Sequence, residues 1–252
     1  MKQIALFLFS AAALCAADDQ IGKMLNDKLT DAQRNDACYA LRNNHSTEVI
    51  AAMRGALASE SVRACAARNL REAGAIDELK RALNAPEPEV RAVAARELGY
   101  FERPDLIDPL LKAAHDPNML VATNAVMGLG QYHDRSVFPY LLELAGGSGA
   151  AGVAALSRAA RFDEPATLPT ARKLLSSSDV ARKLLAIMIV GDCGDSGDLP
   201  RLREIALKSE PLGPPSRGFG LLPALDLARA AKSAIDSIQK RQGAASSRPA
   251  AS

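Results

Sequence analysis

Alanine recurs along this chain at a spacing that few folds can use. It stands at Ala37, Ala66, Ala94, Ala125, Ala155 and Ala186, in steps of 29, 28, 31, 30 and 31 residues. One column of a common residue could be chance, but other columns keep register with it. Leu41, Leu70, Leu98, Leu129, Ala159 and Val190 lie four places after these alanines, and Ala73, Phe101, Tyr132, Phe162 and Cys193 three places further on. Prolines recur as well, at Pro109, Pro139, Pro169 and Pro200. Such register defines a repeat protein, in which each unit buries its apolar face only against its neighbours.

Each period reads as two helices. The first is rich in alanine, as in SVRACAARNLREAG (61–74), EVRAVAARELGYF (89–101), LVATNAVMGLGQY (120–132) and DVARKLLAIMIVG (179–191), with apolar residues at helical spacing. Gly99, Gly130 and Gly191 follow the last apolar position, where a left-handed C-cap is expected. The second helix opens at the column proline, as in DLIDPLLKAA (105–114), SVFPYLLELA (136–145), TLPTARKLL (167–175) and DLPRLREIA (198–206). Proline lacks an N–H and is tolerated in a first helical turn, so it marks that start. The column alanine lets neighbouring helices approach closely. Composition agrees: the chain is 48% hydrophobic but only 4% aromatic, without tryptophan.

The pattern resembles the HEAT repeat, in the short bacterial form also seen in phycobilisome lyases. The resemblance is carried by EVRAVAARELG (89–99) with DLIDPLLKAAHD (105–116), and by SVRACAARNL (61–70) with IDELKRAL (76–83). Arg63 and Arg91 match the basic residue such repeats place early in their first helix, and Asp116 matches the acid that often precedes it. The fourth repeat lacks the arginine and the fifth, GVAALSRAARF, is degenerate. The resemblance implies an all-α fold: a right-handed α-solenoid of about six HEAT-like helix pairs near 31–58, 59–85, 86–116, 117–147, 148–178 and 179–208, with terminal capping helices at 18–30 and 221–242. Scaffolds, regulators and a few enzymes share this family, so the resemblance fixes no activity.

The chain ends have signatures of their own. Lys2 followed by the apolar run Ile4–Leu14 and by Cys15-Ala16-Ala17 reads as a signal peptide over 1–17, cleaved before Asp18. Leu14 precedes Cys15 where a lipoprotein signal wants a small residue, which disfavours a lipid anchor. No stretch is long enough to span a membrane. The expected location is periplasmic or extracellular. Residues 209–223 form a Pro/Gly-rich insertion, and 243–252 have the composition of a disordered tail.

Export permits disulfides. After cleavage the cysteines are Cys38, Cys65 and Cys193, without metal-ligand spacing. Cys38 and Cys65 fall on first helices of adjacent repeats, so a bond between them would staple the N-terminal repeats; whether their side chains face each other is left open.

Other constellations carry little chemistry. Gly194-Asp195-Ser196-Gly197 echoes the nucleophile motif of trypsin-like proteases, but Asp198 replaces the next glycine and register makes the segment a turn between helices. A calcium loop from Asp192, Asp195 and Asp198 lacks EF-hand spacing and a closing glutamate. His115 and His133 fall in turns, and no His-Glu dipeptide of the kind used by HEAT-like di-iron hydroxylases occurs. Phe101, Tyr132 and Phe162 read as rings covering the ends of helix pairs, whereas Tyr100 and Tyr140 are better contact candidates. No catalytic residue, metal ligand or cofactor is expected.

The most informative polar column is Arg81, Lys112, Leu142, Arg172 and Arg203, on the second helices. Asp77 and Asp108 supply i,i+4 partners to Arg81 and Lys112, while Leu168 and Leu199 leave Arg172 and Arg203 without one. Residues 18–163 hold 17 basic and 20 acidic residues; 164–252 hold 13 and 9. The net charge of the whole chain, +2, offers no concentrated basic excess for nucleic acid. In HEAT-like solenoids the second helices line the concave face. The expectation is therefore an exported, non-enzymatic binding or scaffold protein. Its concave surface would hold a protein or peptide, with Arg172, Lys173, Arg201 and Arg203 meeting acidic groups and Lys112 and Tyr140 further along. Two alternatives stay open: an enzyme or enzyme accessory of the HEAT-like lyase type, and a purely structural envelope component.

Overall fold

All regular structure among the described residues is helical, as the spacing of the apolar columns requires. The structure is a computed structural model and describes residues 16–147, 149–162, 164–208 and 226–246. The signal peptide expected at 1–17 lies outside them up to position 15, as do the insertion 209–223 and the end of the tail. No described helix is long and apolar enough to cross a membrane. The chain divides into two compact units, Met1–His133 and Asp134–Ser252.

In the first unit a helix at 16–25 (α1) is followed by α2 (Asp31–Ala40), α3 (Thr47–Ala56), α4 (Arg63–Glu72), α5 (Ile76–Ala82), α6 (Pro88–Gly99), α7 (Ile107–Ala114) and α8 (Met119–Leu129). Local chemistry sets many of these ends. Thr30 and Gln33 form a reciprocal capping box on α2, and Ser46 and Asn118 cap α3 and α8. Gly74, at φ 68°, makes the left-handed turn after α4 and lets the Ala75 N–H reach the Leu70 carbonyl at 2.8 Å.

The second unit holds α9 (Phe138–Gly146), α10 (Gly149–Phe162), α11 (Glu164–Leu174), α12 (Val180–Cys193), α13 (Leu199–Lys208) and α14 (Leu227–Ser246). Short 3-10 turns, Pro104–Leu106, Arg135–Val137 and Ser196–Asp198, lead into α7, α9 and α13. α14 packs along α12 and α13, and it continues to Ser246, into the segment read from composition as tail.

The column alanines are where the helices meet. Ala37, Ala66, Ala94, Ala125, Ala155 and Ala186 are 0–2% exposed, and Leu41, Leu70, Leu98 and Leu129 are equally buried. The column glycines correct the sequence reading. Gly99, Gly130 and Gly191 do not adopt positive φ. Gly99 is needed for packing instead: a Cβ there would run into the backbone of Gly128, and one on Gly128 would stand 2.6 Å from the Ala95 carbonyl oxygen. α6 and α8 therefore touch backbone to backbone. Gly191 lies against Ala234 of α14 in the same manner.

The prolines follow the expectation with one exception. Pro139 and Pro200 are second residues of α9 and α13, and Pro109 is third in α7. Pro169 lies inside α11, whose second residue is Pro165. α11 therefore opens about a turn ahead of the column proline, at Pro165, while Pro169 keeps its place in the repeat.

Arginines tie helices to the ends of earlier ones. Arg34 Nε donates to the Met24 carbonyl at the end of α1 at 3.0 Å, and Arg63 donates to those of Leu57 and Ala58 after α3 at 2.8 and 3.2 Å. Arg91 reaches Ala85 and Pro86 after α5 at 2.9 and 2.8 Å. Buried Arg182 of α12 holds Ala145 and Gly146 of α9, and Arg241 of α14 holds Gly191 and Gly194 at the end of α12. These carbonyls are the acceptors a helix end leaves without partners, and a guanidinium satisfies two at once.

Candidate functional site

The polar column of the second unit is less free than its sequence suggests. Arg172 lacks a partner on its own helix, yet its Nε donates to Asp198 Oδ1 at 2.8 Å and its Nη2 to Asp198 Oδ2 and Asp195 Oδ2 at 2.9 Å each. Those carboxylates stand in the 3-10 turn before α13, where Asp195 and Asp198 also cap each other's backbone. Burial pushes Asp198 up, but the Arg172 guanidinium and the Asp195 N–H outweigh it, so its carboxyl is held below the ordinary range. The same pair holds the Arg172 guanidinium above its usual value. Arg172 thus ties α11 to the α12–α13 turn while its side chain stays partly exposed. Two carboxylates of the proposed calcium loop are committed to that guanidinium. Among the described residues no group of three or more His, Cys, Asp or Glu could hold a metal.

Arg201 is also engaged, with Glu204 on its own helix and with Ser176 Oγ at 3.0 Å. Lys173 and Arg203 are exposed and make no ion pair among the described residues. Tyr140 is 37% exposed. These three are the expected contact residues that the second unit leaves available.

In the first unit Lys112 is exposed on α7 and lines an open cleft of about 790 Å³. Leu83, Pro109 and Ala113 give the cleft an apolar floor, and Asp108, Lys112 and His115 give it a polar rim. The expected Asp108–Lys112 and Asp77–Arg81 pairs do not form. Arg81 pairs with Glu78 at 2.5 Å instead, three residues away rather than four. Arg91 reaches the cleft from α6 and grips Asp116 in a two-point bond, at 2.9 and 3.1 Å. That bond outweighs burial, which acts the other way, and holds Asp116 below the ordinary carboxylate range.

Cys38 and Cys65 are joined in a disulfide, with Cα atoms 6.4 Å apart, linking α2 to α4. Around it lie Met53 and the buried Asn69, whose Nδ2 donates to the Cys38 carbonyl at 3.0 Å. Cys193 Sγ donates to the Ile189 carbonyl at 3.0 Å.

His45, His115 and His133 are exposed. Glu102, at φ 51°, turns its carboxylate to His133, meeting Nδ1 at 2.7 Å and the backbone N–H at 2.9 Å. The aromatic rings serve different neighbours. Tyr132 donates its hydroxyl to the Arg103 carbonyl at 2.8 Å, and Phe162 packs edge-on against Phe138. Tyr100 lies under the Arg71 guanidinium at 4.6 Å. Sequence reasoning missed Arg34, Asn69 and Arg182. Arg34 was within reach, because it stands three places before Ala37, as Arg63 and Arg91 stand before Ala66 and Ala94.

Stacked helix pairs joined by capping arginines define a repeat protein of the α-solenoid class. The chain matches the family model described as HEAT repeats over residues 76–157, about a third of its length. Among solved structures it is similar to the CpcE–CpcF complex of phycocyanin lyase from Nostoc sp. PCC7120, with TM-score 0.43 and 17% identity over 88% of this chain and 94% of that one. It is also similar to human deoxyhypusine hydroxylase in complex with glycerol, with TM-score 0.43 and 16% identity over 92% and 99%. An engineered protein follows with TM-score 0.32 and 15% identity over 89% and 96%. No curated protein matches the chain by sequence.

Proposed function

We propose that this is an exported, non-enzymatic module that binds a protein or peptide through its second-helix faces. The observation that carries the reading is the cleft of the first unit. Its floor of Leu83, Pro109 and Ala113 is open, and Lys112 and Asp108 flank it without an ion-pair partner among the described residues. A mixed apolar and charged trough of this kind suits an extended side-chain surface better than a small enclosed substrate. Helix pairs order these side chains on folding, so little further entropy is lost on binding. In the second unit Lys173, Arg203 and Tyr140 supply contacts of the same sort, and Arg172 and Arg201 act as their supports. Location in the periplasm or outside the cell is supported by the sequence of residues 1–17 and by the Cys38–Cys65 disulfide, a bond favoured in oxidising compartments.

A photo-crosslinking amino acid at Ala113 tests the reading, applied to the exported fraction of the native host. The expected result is a discrete crosslinked partner that Lys112→Glu removes and that the same probe at exposed Lys28 does not capture. Equal crosslinking from both positions would remove the cleft assignment. Mass spectrometry of the exported chain is expected to find Asp18 at its N-terminus; a retained Met1 would remove export by signal cleavage.

A further inference from the structure

A second polar surface lies on the first helices of the N-terminal unit, away from the second-helix residues discussed above. It begins just after α2, where Arg42 makes a two-point bond to Glu72 of α4 at 2.9 and 3.2 Å. Arg71 of α4 then contacts Glu72 at 3.5 Å and Glu97 of α6 at 3.3 Å, with its guanidinium over the Tyr100 ring. The chain Arg42–Glu72–Arg71–Glu97 thus runs from the end of α2 across α4 to α6 and fixes these side chains relative to one another.

Two cations stand beside this chain without belonging to it. Arg68 of α4 and Arg96 of α6 are exposed, act on Glu97 through charge alone, and bond no carboxylate among the described residues. Each lies two places after its column alanine, Ala66 or Ala94, so they occupy equivalent positions on packed neighbours. Helices in contact have axes about 8–10 Å apart, which sets the scale of their separation. Tyr39 and Tyr100 flank them, 50% and 40% exposed. Arginine and tyrosine are the residue types that dominate binding energy at protein interfaces, and here a fixed ion network already limits their freedom.

Charge decides the occupant. In this cluster four guanidiniums face two carboxylates, and both carboxylates are occupied by Arg42 and Arg71. Residues 18–133 as a whole run the other way, with 14 Lys+Arg against 17 Asp+Glu. The positive spot is therefore small and set in an acidic unit, which suits a short acidic segment and disfavours the long polyanion of a nucleic acid. We infer that the first-helix face of α2, α4 and α6 binds an acidic protein segment in extended form, with carboxylates two residues apart meeting Arg68 and Arg96 and with Tyr39 and Tyr100 packing on its backbone. Alternate residues of an extended chain point the same way about 6.5–7 Å apart, within reach of two flexible arginines on neighbouring helices.

The test uses the full mature chain and a fluorescein-labelled fifteen-residue peptide of alternating glutamate and glycine, followed by anisotropy. Saturable binding is expected, weakening with salt and reduced about tenfold or more in Arg68→Ala/Arg96→Ala. Those arginines make no described ion pair, and circular dichroism checks that the variant keeps its fold. Tyr39→Ala/Tyr100→Ala is expected to weaken binding too. Lys112→Glu should leave it unchanged, which separates this surface from the cleft of α7. Three results would overturn the inference: binding of the glutamine–glycine peptide as tight as the glutamate one, unchanged affinity in the double arginine variant, or tighter binding of a single-stranded oligonucleotide of the same length.

Discussion

Single residues decide more here through distance than through local propensity. Gly99 shows this. A methyl group at that position has nowhere to go, because the opposing atoms are the Gly128 backbone rather than a side chain that could move. Gly99→Ala is expected to lower stability by about 1–3 kcal/mol, the ordinary cost of overpacking, with the loss read by chemical denaturation. Gly55, with open space around its Cβ position, is the control and should tolerate alanine. The sequence placed Gly99 correctly at a helix end but assigned it the wrong physics, since φ and close approach both select glycine. The ion pairs of Arg172 were out of the sequence's reach for a related reason. Its partners are 23 and 26 residues away, beyond any i,i+4 rule, and only packing brings them together. The Arg172–Asp198 pair also has a pH signature. Asp198 has a depressed folded-state pKa, so its contribution is fully present above the ordinary aspartate value near 4 and is lost as pH falls through the lower folded value. Asp198→Asn should therefore cost stability at pH 7 and flatten the acid limb of the stability profile below about pH 4. An unchanged acid limb in thermal melts would contradict that assignment.

At the scale of the helix, repetition was legible because it needs only period and residue size. The alanine column marks a buried contact in every pair, and its alanines are nearly inaccessible. Arg63 and Arg91 were recognised as repeat features, although the carbonyls they hold became visible only in the folded chain. Legibility failed at α11, where two prolines stand four residues apart and the column falls on the second. Pro165 sits in the first turn, and Pro169 lies in the helix interior, where it removes a hydrogen bond and crowds the carbonyl four residues back. Pro169→Ala is accordingly expected to stabilise the second unit, by as much as about 3 kcal/mol, seen as a raised melting temperature. A fall in stability would mean that the surroundings of α11 require the distortion.

At the scale of the whole molecule, the two units differ in how they are secured. The first carries the Cys38–Cys65 disulfide, which closes a separation of 27 residues. Chain entropy gives such a loop a stabilising effect of about 3.5 kcal/mol. Reduction, or Cys38→Ser, should therefore raise hydrogen exchange across α2–α4 and leave exchange in α12–α14 unaltered; equal effects in both units would show that they unfold as one. The second unit is closed by α14 rather than by a covalent bond, through Gly191 against Ala234 and Arg241 on the α12 carbonyls. The capping arginines also give the chain a direction. Arg34, Arg63, Arg91, Arg182 and Arg241 each come later in sequence than the carbonyls they hold. As the polypeptide leaves the ribosome, each of those helices emerges with its end unfinished and waits for a residue still to be translated. The last such debt is settled by Arg241, so a chain cut short before α14 would stop with its final lock open, whatever the stability of the repeats already made.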